Sequence, residues 1–225
     1  MSPEEPATAV EAAAASGTAL PGPDGRLRCP WALSTPDYLD YHDREWGREV
    51  RTVAGLFERL TLEAFQSGLA WITILRKREN FRRAFAGFDP ERVAGFTADD
   101  RARLMADAGI VRNAAKIDAA LHNAAVVAEL GDDFVDLVWA HRVVDRRRPG
   151  PGEWRATSPE SKALAKALKS AGIRFVGPTT AYALMQAVGL VDDHLRDCEV
   201  PDPAELGEPA RPDRPPPGGT AVRTG

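Results

Sequence analysis

Four residues of this chain have the types and the placement to share a metal ion. Cys29 and His42 lie in the stretch RCPWALSTPDYLDYHDREWG, residues 28–47, and His194 and Cys198 lie far downstream in DDHLRDC. Both cysteines of the chain and two of its four histidines are in this set. Two thiolates and two imidazoles are the donor mix that zinc takes in closed tetrahedral sites. The His194-x₃-Cys198 spacing puts two donors one turn apart on a helix face or across a helix end. Cys29 and His42 are further apart than the usual zinc-finger half-site. Two inert buried thiols or a disulfide are the plainer readings. A disulfide suits a secreted protein, and ATAVEAAAASGTAL, residues 7–20, follows Glu4 and Glu5 without the basic start of a signal peptide.

A second cluster surrounds the first half of that set. Trp31, Tyr38, Tyr41 and Trp46 are followed by Glu63, Gln66 and Trp71. Val53, Leu56, Phe57, Leu60 and Ala64 recur at helical steps, and Glu63 falls on the edge of the same stripe, so its carboxylate is expected to be at least partly buried. Aromatic faces beside a buried carboxylate suit a flat cationic ring: the faces stack and attract charge, and the carboxylate accepts an N–H or balances the cation. Core packing is the alternative for each tryptophan taken singly.

A third feature is the stretch SKALAKALKSAGIRFVGPTTAYALMQAVGL. It reads as two helices joined by a short hairpin containing Gly172 and Gly177. Glycines there allow positive φ and close approach to a phosphate, while Thr179 and Thr180 are expected to cap the second helix and leave its first amides free for an anion. With Arg174 and Lys169 nearby, the hairpin can grip a DNA backbone. Any helical hairpin can contain glycines, so the spacing alone also allows a purely structural turn.

The elements that must position these residues are helical. Helices are expected from Val53, from Trp71 to Phe85, after a Thr97 cap, from Arg112 to Leu130, from Asp132 to Trp139 and from Ser158 or Ser161. Asp89-Pro90 reads as a stop, and residues 146–154 (RRRPGPGEW) as a polar loop. Almost nothing alternates as a strand does, so the fold class is all-α. With 225 residues, 44% hydrophobic and 28% charged, the chain suits one soluble domain. Residues 1–27 and the proline-rich residues 199–225 read as disordered extensions flanking a domain at 28–198. No apolar run is long enough to span a bilayer; a cytoplasmic protein with reduced cysteines is expected. The net charge is −4, yet nine of the 33 acids and four of the 29 bases lie outside residues 28–198, leaving 24 acids against 25 bases inside. That balance neither demands nor excludes DNA.

Across residues 28–198 the chain resembles the DNA-3-methyladenine glycosylase I family, the zinc-containing members of the helix-hairpin-helix DNA glycosylases. The resemblance rests on RCPWALSTPDYLDYHDREWG, LFERLTLEAFQSGLAWITILRKRENFRRAF, FDPERVA, DAGIVRNAAKI, FVDLVW, SKALAKALKSAGIRFVGPTTAYALMQAVGLVDDH and Cys198, in that order. Residues 146–156 and the two ends lie outside it. The chain has Thr35-Pro36 and Ala70-Trp71 where the family commonly has Asp-Pro and Ser-Trp; the second departure touches the pocket wall.

The resemblance implies one structural zinc per chain on Cys29, His42, His194 and Cys198, tying the ends of the domain together. It implies that Glu63 contacts the excised base as the catalytic carboxylate, with Tyr41 and Trp46 lining the base pocket and Trp31 and Trp71 nearby. Gly172, Arg174, Gly177 and Thr179 would hold DNA phosphates. The expected activity is hydrolysis of the N-glycosidic bond of 3-methyladenine in double-stranded alkylated DNA, by base flipping, without strand cleavage and as a monomer. Asp192 and Asp193 lie where related glycosylases place a catalytic aspartate, but beside a metal ligand they read as supporting or capping residues. The rival expectations are a zinc-stabilised protein that binds DNA lesions without excising them, and a metal-dependent hydrolase of small molecules.

Overall fold

The computed structural model describes residues 17–145 and 147–201. Nine α-helices are present among the described residues: α1 (Pro36–Arg44), α2 (Val53–Gln66), α3 (Trp71–Ala84), α4 (Pro90–Ala94), α5 (Ala98–Ala106), α6 (Ala114–Leu130), α7 (Asp132–Trp139), α8 (Pro159–Ser170) and α9 (Pro178–Ala187). The all-α expectation holds, with one small exception. Leu20–Pro21 (β1) pairs antiparallel with Leu27–Arg28 (β2).

That ribbon corrects part of the disordered reading of residues 1–27. Ala19 and Leu27 pack with Cys29, Leu195, Cys198 and Val200 in a small apolar cluster, and Glu199 N donates to Leu27 O at 2.8 Å. The pairing needs a partner from the far end of the chain, which local composition does not reveal. Residues 1–16 and 202–225, the remainder of the two expected tails, lie outside the described residues.

Helix α2 is the central element and packs against α3, α6, α7 and α9. Its sequence explains this place. Leu56, Phe57, Leu60, Leu62 and Phe65 are fully buried, so the helix is apolar around most of its circumference, as a core helix must be. Thr52 caps its start by accepting from Gly55 N, and the helix ends at Ser67 before Gly68, whose φ of +80° suits glycine. Phe65, Phe81, Phe85 and Phe88 stack edge and face beneath it.

Several caps match the sequence. Thr97 and Asp100 form a reciprocal capping box for α5, and Ser158 and Ser161 do so for α8. Asp89-Pro90, by contrast, starts a helix instead of only stopping one: Asp89 accepts from Arg92 N and Pro90 occupies the first position of α4, where its missing N–H leaves no unmet bond. Helices α8 and α9 form the expected hairpin. Its second helix, however, is entered through Gly177 and Pro178, with no side-chain cap; Thr179 and Thr180 stand inside the first turn. Positive φ occurs at Gly172 (+96°) but not at Gly177 (−116°), and in the turn between them Phe175 adopts it at +59°. No helix among the described residues is long and apolar enough to cross a membrane.

Candidate functional site

A cavity of about 310 Å³ opens between α1, the end of α2, the start of α3 and α9. Trp31, Tyr38, Tyr41, Trp46, Glu63, Gln66 and Trp71 line it, joined by Trp154, Ala183 and Gln186. Every base-binding residue expected from the sequence is therefore on one wall or another. The rings brace one another. Trp31 meets Tyr38, Tyr41 and Trp46 at centroid distances of 5.6, 6.4 and 5.1 Å, and Tyr41 meets Trp71 at 5.5 Å. Tyr38 fixes the far wall by accepting, through its hydroxyl, from Ile72 N at 2.9 Å. Trp71 Nε1 is buried and has no partner among the described residues, so the cavity holds a free donor.

Glu63 is 6% exposed. Burial raises its pKa to about 8, against which the nearby Arg59 acts only partly. Arg59 shares its charge with a second carboxylate: Arg59 Nη2 donates to Glu45 Oε2 at 2.7 Å, and Arg78 donates to both oxygens of Glu45 at 2.6 and 2.7 Å, while Arg59 Nη1 is buried with no partner among the described residues. Burial, with Glu63 adding to it, also pushes the Tyr41 phenol well above its ordinary value. The Glu63 carboxyl is thus held largely uncharged at neutral pH, and among the described residues no cation is hydrogen-bonded to it.

The metal-ligand candidates gather behind this cavity. One donor atom each from Cys29, His42 and Cys198 lies within 4.8 Å of the others, and all three residues are buried. His194 stands beside them, its ring 4.9 Å from that of His42, although it falls outside that tightest set. The two histidines are oriented alike. His42 Nδ1 is 2.8 Å from Asp43 Oδ1, and Asp43 in turn accepts from Arg28; His194 Nδ1 is 2.9 Å from Asp192 Oδ1, and Asp192 accepts from Arg148. A proton held at each Nδ1 leaves each Nε2 with a lone pair. Of these, His42 Nε2 is 3.4 Å from Cys198 Sγ, and His194 Nε2 is buried without a partner.

The thiols add to the pattern. The hydrogen bond between Cys29 and Cys198 favours the thiolate at Cys198, lowering its pKa to about 4 with further help from His42, while Cys29 is shifted upward by the same bond. Leu195 N donates to Cys29 Sγ at 3.3 Å. Both cysteines are free, so a disulfide does not form here. Carboxylate-backed imidazoles, a stabilised thiolate and one orphaned buried nitrogen together fit a zinc-sized cation. His194 and Cys198 lie neither on a helix face nor across a helix end, the two placements their spacing suggested; His194 immediately precedes a turn closed by Cys198 N donating to Leu195 O at 2.9 Å.

The hairpin turn lines a second, open groove of about 830 Å³ with Ser67, His122, Lys169, Gly172, Arg174, Phe175, Gly177 and Thr180 among its walls. Of the four expected DNA-contacting residues, Gly172, Arg174 and Gly177 reach it; Thr179 is exposed but does not line it. Asn123 of α6 holds the turn, donating to Arg174 O at 3.0 Å and accepting from Arg174 N at 2.8 Å. The groove and the aromatic cavity meet at consecutive residues, Ser67 and Gln66.

Sequence reasoning placed Asp192 as a supporting residue of the metal-ligand set but gave no role to Arg28, Asp43 or Arg148. Asp43 had a local signal, being adjacent to His42. The other two come from a strand end and a loop that only the fold brings close. Asp193 turns away from His194: its Oδ2 accepts from Tyr182 Oη at 2.7 Å and from Gln186 Nε2 at 2.8 Å.

Comparison with known proteins locates this arrangement. Residues 31–201 match the family model described as methyladenine glycosylase. The DNA-3-methyladenine glycosylase of Haemophilus influenzae is 44% identical over 177 residues, which cover 76% of this chain and 96% of the relative. A crystal structure of 3-methyladenine DNA glycosylase I superposes with a TM-score of 0.72 at 41% identity, covering 76% of this chain and 97% of the other. The Staphylococcus aureus 3-methyladenine DNA glycosylase I, whose structure concerns 3-methyladenine recognition, superposes at 0.70 with 34% identity, covering 75% and 94%.

Proposed function

The chain belongs to the methyladenine glycosylase family, and from that premise we propose how its cavity releases 3-methyladenine from DNA. The enzyme is a DNA-3-methyladenine glycosylase acting in base-excision repair. The observation that carries the mechanism is Glu63, a buried carboxyl to which no cation is hydrogen-bonded among the described residues, set among rings.

Methylation at N3 makes the adenine cationic and weakens its bond to the sugar, so selection matters more than force. The damaged nucleotide leaves the duplex and its base enters the cavity, stacking against Tyr41 and Trp46 while Trp31 and Trp71 complete the walls. Glu63 then ionises, giving up its proton to solvent as the cation arrives, and accepts an N–H of the base. Neutral adenine brings no charge to compensate the buried carboxylate and gains little. When the N-glycosidic bond breaks, its electron pair goes to the purine and cancels the positive charge; water adds at the sugar carbon left cationic and releases one proton to solvent, leaving a neutral abasic sugar. The reaction proposed is monofunctional, with water and not a lysine attacking the sugar carbon.

Duplex DNA is the proposed substrate form, bound as a monomer, with the groove at Gly172, Arg174 and Gly177 taking backbone phosphates. The cytoplasm is the proposed compartment; the free cysteines accord with it. Cys29, His42, Cys198 and His194 are proposed to hold one zinc ion, whose contribution is structural, since four protein donors leave no position for water. Incubating the protein with methylated and unmodified duplex tests the reading: free 3-methyladenine should appear only from the methylated DNA. Binding to methylated duplex without base release would favour a lesion-binding protein instead.

A further inference from the structure

We propose that Trp154 is a base-stacking and specificity-determining residue at the mouth of the cavity, supplied by the loop before α8. The inference deepens the reading above and rests on it.

Three observations converge on this side chain. It lines the same cavity as Glu63 and the four expected aromatics, yet it comes from residues 146–156, a stretch the family motifs leave out. It is 40% exposed, one of few large apolar side chains left open to solvent. Its ring is also unaccompanied. Trp31, Tyr38, Tyr41, Trp46 and Trp71 pack on one another, whereas none of the ring pairs among the described residues includes Trp154.

Hydrogen bonds order the backbone of the loop just before Trp154. Glu153 accepts from Gly150 N at 2.7 Å and from Arg147, Glu153 N donates back to Gly150 O at 3.1 Å, and Arg196 N donates to Pro149 O at 2.9 Å. Four residues on, Ser158 begins the capping box of α8. An indole with a free face at the rim of a ring-lined cavity lacks only a flat partner. The partner of matching chemistry is a cationic purine turned out of the duplex, which gains both stacking and attraction to the indole face.

The test compares Trp154→Ala and Trp154→Phe with the wild-type chain, using duplex carrying 3-methyladenine and, separately, free 3-methyladenine as a binding probe. The alanine variant should lose roughly ten- to a hundredfold in kcat/KM, the range expected for removal of one base-stacking ring. Binding of the free base should weaken in parallel, the phenylalanine variant should recover most of both, and Tm should stay within about 2 °C because the ring is exposed. Wild-type release with an alanine variant equal to it in both assays overturns the role of Trp154 and leaves the glycosylase reading intact. Equal loss in the alanine and phenylalanine variants also overturns it. Wild-type protein that releases no base would instead overturn the parent reading, and this one with it.

Discussion

At the scale of single residues, Glu63 sets two opposite responses to pH. Its pKa in the folded chain is raised from 4.5 to about 8 by burial, so between those values the folded state binds more protons than the unfolded one. Stability of the unliganded protein therefore falls as pH rises through that window. Glu63→Gln removes the effect, and the variant should exceed wild type at pH 8 by about 2 kcal/mol or more, since each pKa unit corresponds to about 1.4 kcal/mol. Urea titrations at pH 5 and pH 8 measure this; parallel stabilities at both would show that the carboxyl is not desolvated. Activity runs the other way. Pairing with a cationic base requires the ionised form, so kcat/KM on methylated duplex should rise with pH and level off near 8, while Glu63→Gln should show little release and no such rise. Burial outweighs the attraction of the nearby Arg59, which also pairs with Glu45.

At the scale of elements, the turn after α2 joins the cavity to the groove. Lys116 of α6 is 8% exposed and donates to Phe65 O at 2.8 Å and Ser67 O at 2.6 Å, and its ammonium stands 5.9 Å from the Phe175 ring in the hairpin turn. Lys116→Met should destabilise the fold by about 1–3 kcal/mol by leaving these carbonyls unmet. It should also lower kcat/KM beyond what stability explains, since Gln66 lines the aromatic cavity and Ser67, next to it, lines the groove. Denaturant titration with steady-state release separates the two effects.

The elements also show what was legible in the sequence. Thr97 and Ser158 were readable because capping is decided within four residues, although Ser161 was an equal candidate for the second, and the stripe that has Glu63 on its edge because helical spacing is local; the Asn113 cap was passed over, with the helix expected from Arg112. Pro178 was not weighed against Thr179, and a proline that takes the first helical position moves the cap back to Gly177. Phe175 carries no local sign of positive φ, and Trp154 sits in a loop whose composition speaks only of polarity. His194 and Cys198 matched a helical spacing, but the chain turns there because Leu195 must reach back to Cys29.

At the scale of the whole molecule, the cysteines and histidines fasten the beginning of the domain to its end. Purified protein should carry one zinc per chain by elemental analysis, and strong chelation or Cys198→Ser should lower Tm by about 5–10 °C, which corresponds to a few kcal/mol for a chain of this size. Metal-free protein with an unchanged melting temperature would remove the ion from the account. Activity should fall with stability and return on adding zinc to the chelated wild type, because the candidate donors stand behind the cavity and do not line it.

The amide that meets Cys29 Sγ belongs to Leu195, 166 positions along the chain. A ribosome therefore delivers the first thiol and imidazole long before their counterparts exist, and the pair must wait until the segment through Cys198 has followed. A message cut short anywhere before Cys198 yields a product that cannot close this junction, so truncated copies should be left open to proteases while full-length ones are sealed.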